Sequence, residues 1–199
     1  MTLSVRVAGI AAAALGFIGL LATPAPAYAW NAVEDVAQTL IGAPPVTPAA
    51  TFDLASAMRG RPLAEQVTAY GRTHTETEEQ DCLASAVYFE ARGEPIEGQL
   101  AVAEVVLNRA GSGRYPSSIC GVVLQPWQFS FVNATGRIPA ADRASEAWRK
   151  AVAIARIAQD RVTTQLASNV LWYHADYVAP SWGRRLSRNT KIGLHIFYS

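Results

Sequence analysis

The chain has 199 residues, 50% of them hydrophobic and 17% charged, and its 17 Lys+Arg against 16 Asp+Glu give a formal net charge of +1. These values exclude a disordered polyelectrolyte, a collagenous repeat and a large multidomain chain, and leave one globular domain with short additions. With two cysteines and three histidines, a multi-finger zinc protein or an iron–sulfur carrier is also excluded.

At the N-terminus, Arg6 precedes an uncharged apolar run over residues 7–22, followed by Ala27-Tyr28-Ala29. A charged start, an apolar stretch and an A-x-A site in this order predict a signal peptide over residues 1–29, cleaved after Ala29. The alternative, a retained anchor, would have to work with 16 apolar residues, short of the roughly 20 that a span needs. Cleavage leaves no stable membrane span and an exported chain, periplasmic or associated with the cell wall. Loss of Arg6 makes the remainder formally neutral, with 16 basic and 16 acidic residues. The charges divide unevenly: residues 30–97 carry 4 basic and 11 acidic side chains, and residues 98–199 carry 12 and 5. Such halves either create a basic face or pair with each other. No basic run interleaved with aromatics points to nucleic acid, and nothing indicates a cofactor or more than a monomer.

Residues 30–78 read as a short helix and a linker. Val33, Val36, Ala37, Leu40 and Ile41 fall at helical spacing before Gly42 and the prolines 44, 45 and 48, while residues 51–79 are only weakly periodic. The main domain is placed at residues 79–199. From Gln80 the signal strengthens: Leu83, Ala86, Val87 and Glu90 recur on one helical face, so a carboxyl takes the place of a core residue. Gly93 ends this helix. Pro95 opens a second, over residues 96–109, whose apolar side chains surround it and mark it as the buried central helix.

Ser118 then caps a short helix through Leu124, residues 128–131 alternate as a strand, and residues 142–160 return to helical spacing. Residues 170–173 and the alternation of Ile192, Leu194, Ile196 and Tyr198 suggest two strands of a small C-terminal sheet. The fold class is therefore α+β, mainly helical. In an exported protein Cys82 and Cys120 are most simply a disulfide.

The residues from Leu83 to Pro95, in particular Tyr88-Phe89-Glu90-Ala91-Arg92-Gly93-Glu94-Pro95, together with Glu97-Gly98-Gln99 through Asn108-Arg109, closely resemble the SleB-type cell wall hydrolases, the family named for the spore-cortex-lytic enzymes. Segments 115–123, 128–131 and 173–175 continue the likeness in order, so that it covers roughly residues 80–185. The resemblance implies a lysozyme-like or lytic-transglycosylase-like domain. It also implies cleavage of peptidoglycan glycan strands between N-acetylmuramic acid and N-acetylglucosamine, by transglycosylation or muramidase-type hydrolysis. The catalytic acid of the family, the first glutamate of E-A-R-G-E, corresponds to Glu90. The helix face points to the same residue, because an apolar stripe disfavours the charged carboxylate and keeps a proton available for the leaving oxygen.

Around it, Gln128, Ser130, Tyr173 and His174 are candidate substrate contacts, and Trp182 is preferred over Trp127 and Trp172 for stacking on a sugar. Glu94 is either a second site carboxylate or a charge at the start of the next helix. Asn108 and Arg109 read as cap and solvent residues. Two rival functions remain: a zinc N-acetylmuramoyl-L-alanine amidase, for which His74, His174 and His195 look too scattered, and a non-catalytic peptidoglycan-binding protein, against which Glu90 is intact.

Overall fold

Asp53 and Pro62 start two short helices, α1 (Leu54–Met58) and α2 (Leu63–Tyr70). In this computed structural model, which describes residues 52–71 and 74–199, the compact unit runs from Phe52 to Ser199. The expected signal peptide and the helix before Gly42 lie outside the described residues. Upstream of Glu78, where the sequence places the start of the main domain, α2 buries Tyr70 and Gln66. Its periodicity is weak for a physical reason: only these two of its eight residues are buried.

Thr77 caps α3 (Glu78–Ala91) by accepting the N–H of Gln80 at 3.1 Å, and Glu78, Glu79 and Asp81 occupy the first turn, where the helix dipole favours negative charge. Residues Arg92 to Pro95 turn the chain into α4 (Ile96–Gly111), whose interior from Gly98 to Val106 is buried on every side. The reason for the all-round apolarity is that α4 serves two cores. One is shared with α3 and with α6 (Glu146–Gln159); in the other, Ala101 and Val105 meet Leu166, Val170 and Phe197. Between them in the chain, Ser118 accepts the N–H of Gly121 at 3.0 Å and caps α5 (Ile119–Val123). The carboxylate of Glu79 accepts the N–H groups of Ile119 and Cys120, next to the Cys82–Cys120 disulfide, whose Cα atoms are 5.3 Å apart.

Strands β1 (Trp172–Ala175), β2 (Arg188–Ile192) and β3 (His195–Tyr198) form an antiparallel sheet in the order β1-β3-β2, with Tyr173 opposite Phe197 and Ala175 opposite His195. The alternation read as one strand over residues 192–198 is a hairpin instead. Gly193 turns the chain at φ +57°, Leu194 sits exposed in the turn, and a Cβ at position 193 would overlap the Glu94 carboxylate. His195 and Phe197 of β3 are therefore buried, and of the expected set Ile192, Leu194, Ile196 and Tyr198 only Tyr198 is. Residues 128–131 are not a strand either. No strand among the described residues pairs with them; successive turns bring Phe129 into the core and stack Phe131 on Phe89 of α3, ring centroids 5.0 Å apart.

Among the described residues no helix is long and apolar enough to cross a membrane.

Candidate active site

Glu90 lies in the last turn of α3, one turn beyond Val87 on the stripe that Leu83 begins. There the helix emerges from the core into a cleft of about 760 Å³, walled by the end of α3, the end of α4, the turns at 127–132 and strands β1 and β3. The sheet brings Tyr173 across it: the Tyr173 hydroxyl donates to Glu90 Oε2 at 3.3 Å. Burial pushes the Glu90 carboxyl above its ordinary pKa, while the bond from Tyr173 and the charge of Arg109 oppose that rise. Burial, with the neighbouring Glu90, raises the Tyr173 phenol well above 10, so it remains a donor.

Arg109 is not a solvent residue. Its Nε donates to the Leu171 carbonyl at 2.8 Å, and its guanidinium lies 5.2 Å from the Tyr115 ring centroid and 5.9 Å from that of Phe129. These contacts offset part of the cost of burying a cation that makes no ion pair among the described residues. Asn108 is likewise structural, donating to the carbonyls of Ala167 and Val170.

Gln128, Ser130, Tyr173 and His174 all line the cleft; Glu94 and Trp182 do not. His174 contributes surface rather than free hydrogen-bonding atoms. Its Nδ1 meets the Ala175 carbonyl at 2.8 Å, which makes that nitrogen the donor, and its Nε2 then accepts from the Tyr198 hydroxyl at 2.9 Å. Glu94 accepts the N–H of Leu194 at 2.9 Å and ties the β2–β3 turn to the start of α4. Trp182 packs edge-on against His174 and Tyr198. Trp127, ranked lower from the sequence, lines the cleft, is 97% exposed and has its backbone at φ +66°. For a bulky residue that conformation costs on the order of 1–2 kcal/mol, so the indole is held out over the cleft at some expense.

Two site residues were missed in the sequence. Arg109 follows Val102, Val105 and Val106 at steps of 7, 4 and 3 on the α4 core stripe, the same signal that exposed Glu90. His195 lines the cleft, is 8% exposed, and has an Nδ1 without a hydrogen-bond partner. Its signal was the alternation with Phe197, hidden because residues 192–198 were read as one strand. Histidines 174 and 195 thus meet in one cleft, contrary to the scattered reading. Among the described residues, however, no three His, Cys, Asp or Glu side chains are grouped so as to hold a metal ion.

A half-buried carboxylic acid, held by one phenol and facing an open cleft, is equipped to give a proton to a leaving oxygen and take one back. Residues 93–198 match the Cell Wall Hydrolase family, and the chain belongs to it. Its particular relatives include the spore cortex-lytic enzyme of Bacillus subtilis strain 168, 42% identical over 118 residues, covering 58% of this chain and 35% of that protein. The spore cortex-lytic enzyme of Oceanobacillus iheyensis is 38% identical over 118 residues, covering 58% and 39%. The chain therefore spans little more than a third of the length of these curated relatives. Among solved structures, the catalytic domain of the germination-specific lytic transglycosylase SleB from Bacillus anthracis is similar at 34% identity and a TM-score of 0.50, over 64% of this chain and 98% of that one.

Proposed function

We propose that this chain cleaves the glycan strands of peptidoglycan between N-acetylmuramic acid and N-acetylglucosamine as a lytic transglycosylase, with Glu90 as general acid and then general base. The observation that carries this reading is that Glu90, its pKa raised by burial, is the one carboxylate among the described residues lining the cleft. Its relation to a solved lytic transglycosylase domain supports the same choice. Retaining or inverting hydrolysis uses a second carboxylate roughly 5–9.5 Å from the first, and the cleft wall supplies none.

The proposed chemistry is a proton given and then taken back by one carboxyl group. The protonated Glu90 gives its proton to the glycosidic oxygen as the bond from that oxygen to C1 of the muramic sugar breaks. The resulting Glu90 carboxylate is held by Tyr173 and favoured by the charge of Arg109. It then takes the proton of the sugar's own 6-hydroxyl as that oxygen bonds to C1. A 1,6-anhydro end forms, no water is consumed, and Glu90 returns to its starting state. Gln128 and Ser130 are exposed in the cleft for N-acetyl and hydroxyl groups, and Trp127 offers a face to a sugar ring. Export from the cytoplasm fits both this substrate and the Cys82–Cys120 disulfide.

The test is mass spectrometry of purified sacculi after digestion. Wild type is expected to release anhydro-muropeptides. The Glu90→Gln variant is expected to fold normally and to lose roughly 10²–10⁴-fold of that activity, because the amide is far too weak an acid to protonate the leaving oxygen. Reducing ends in the digest would replace transglycosylation by hydrolysis, freed stem peptides would indicate an amidase, and unchanged activity in the variant would remove Glu90 from the mechanism.

A further inference from the structure

A second cavity of about 480 Å³ adjoins the cleft, and His174 and Val178 form walls of both. His174 has both ring nitrogens engaged, so the polar character of this second space comes from elsewhere. From β1 to the C-terminus the charged side chains are Asp176, Arg184, Arg185, Arg188 and Lys191. Lys191 Nζ pairs with Asp176 Oδ2 at 2.6 Å, and the two charges cancel. Three arginines remain within five positions. All three are exposed, and their side chains make no hydrogen bond or ion pair among the described residues.

Their placement is tied to the cleft wall. Arg184 lines the second cavity. The 3-10 turn that carries it, Gly183–Arg185, is seated on that wall: a Cβ built at Gly183 would come within 3.9 Å of His174 Nε2, and Trp182 stands edge-on to His174 at 5.5 Å. Arg188 is opposite Tyr198 in the strand register, and Tyr198 lines the same cavity. A guanidinium presents a planar fork of donors that matches a carboxylate, and the free forks of Arg184 and Arg188 at this cavity, with Arg185 next in the chain, fit an acidic ligand.

In the reading proposed above, on which this inference rests, the substrate itself supplies one. The muramic sugar placed against Glu90 carries on its lactyl group a peptide stem with free carboxylates. We propose that the cavity beside His174, with Arg184 in its wall and Arg185 and Arg188 at its edge, is a subsite for this acidic stem. The enzyme then prefers strands whose stems are intact over bare glycan.

The experiment compares kcat/KM on glycan strands with intact stems and on the same strands after an amidase has stripped them. Wild type is expected to favour the stem-bearing strand by about tenfold or more, in line with one or two charge-assisted hydrogen bonds. In the Arg184→Ala/Arg188→Ala variant the ratio is expected to fall to near 1, through a higher KM for the stem-bearing strand, while Arg184→Lys keeps part of the preference. Added salt should lower the wild-type ratio, because the arginines are exposed. A wild-type ratio near 1, or a variant that keeps the wild-type ratio even with lower activity on both strands, overturns the subsite. Failure of wild type to cut either strand overturns the proposed function and this inference with it.

Discussion

Among the described residues two glutamates have pKa values raised by burial, and what separates them is what their oxygens meet. Glu104, in the middle of α4 and 6% exposed, accepts the N–H groups of Gln165 and Leu166 with both oxygens. Glu90 accepts one bond from Tyr173 and otherwise faces the cleft. The first is saturated and structural; the second retains capacity to exchange a proton with a ligand. Because the Tyr173 bond favours the Glu90 anion, the Tyr173→Phe variant is expected to raise the Glu90 pKa further. The alkaline limb of kcat/KM should then move to higher pH, with a rate loss of about tenfold because the carboxylate is no longer held in place. A pH–rate profile checks both, and an unmoved limb would show that Tyr173 does not act through Glu90.

At the scale of elements, α4 positions the site from both its ends and its middle. Its start receives the β2–β3 turn through Glu94, its middle anchors the loop before β1 through Glu104, and its end supplies Arg109. Burial pushes Glu104 from 4.5 to about 7 in the folded protein, against the opposing effect of its two N–H donors. A carboxyl with a raised folded pKa binds more protons folded than unfolded between these values. Its stabilising share is therefore complete below pH 4.5 and is lost as pH rises through about 7. Denaturant melts across this window are expected to show stability falling by the order of 2–3 kcal/mol, and the Glu104→Gln variant should flatten that slope. The helices with deep stripes, α3, α4 and α6, were legible in the sequence because burial repeats at 3 and 4 steps. The turns at 128–131 and the hairpin at Gly193 were not: an aromatic in a tight turn against a helix and one in a strand leave the same alternation.

Among the described residues, the uneven charge of the two halves resolves in part into contacts between them. Arg143 pairs with Asp81 at 2.7 Å and Arg156 with Glu76 at 2.7 Å, and Glu79 accepts from the start of α5. The ion pairs are partly exposed and worth little individually. The covalent tie weighs more: the Cys82–Cys120 bridge closes a loop of 38 positions around α4, for which the chain-entropy account gives about 3–4 kcal/mol. Reduction, or the Cys82→Ser/Cys120→Ser variant, is expected to lower the thermal midpoint by at least 10 °C on the usual scaling for a domain of about 150 residues. Equal midpoints with and without reductant would show the bridge to be neutral. The place of Glu90 on an apolar stripe was visible to periodicity, its role as acid came from the family resemblance, and the cysteine pair was legible because only one pairing exists. The partners of Glu90 were decided by tertiary structure. Tyr173 lies 83 positions away and Arg109 on another helix, and Glu94 was separated from the cleft by a bond to a turn 100 positions on. Local sequence fixes which side chains are withheld from water, whereas only the packing of α3, α4 and the sheet fixes which of them meet.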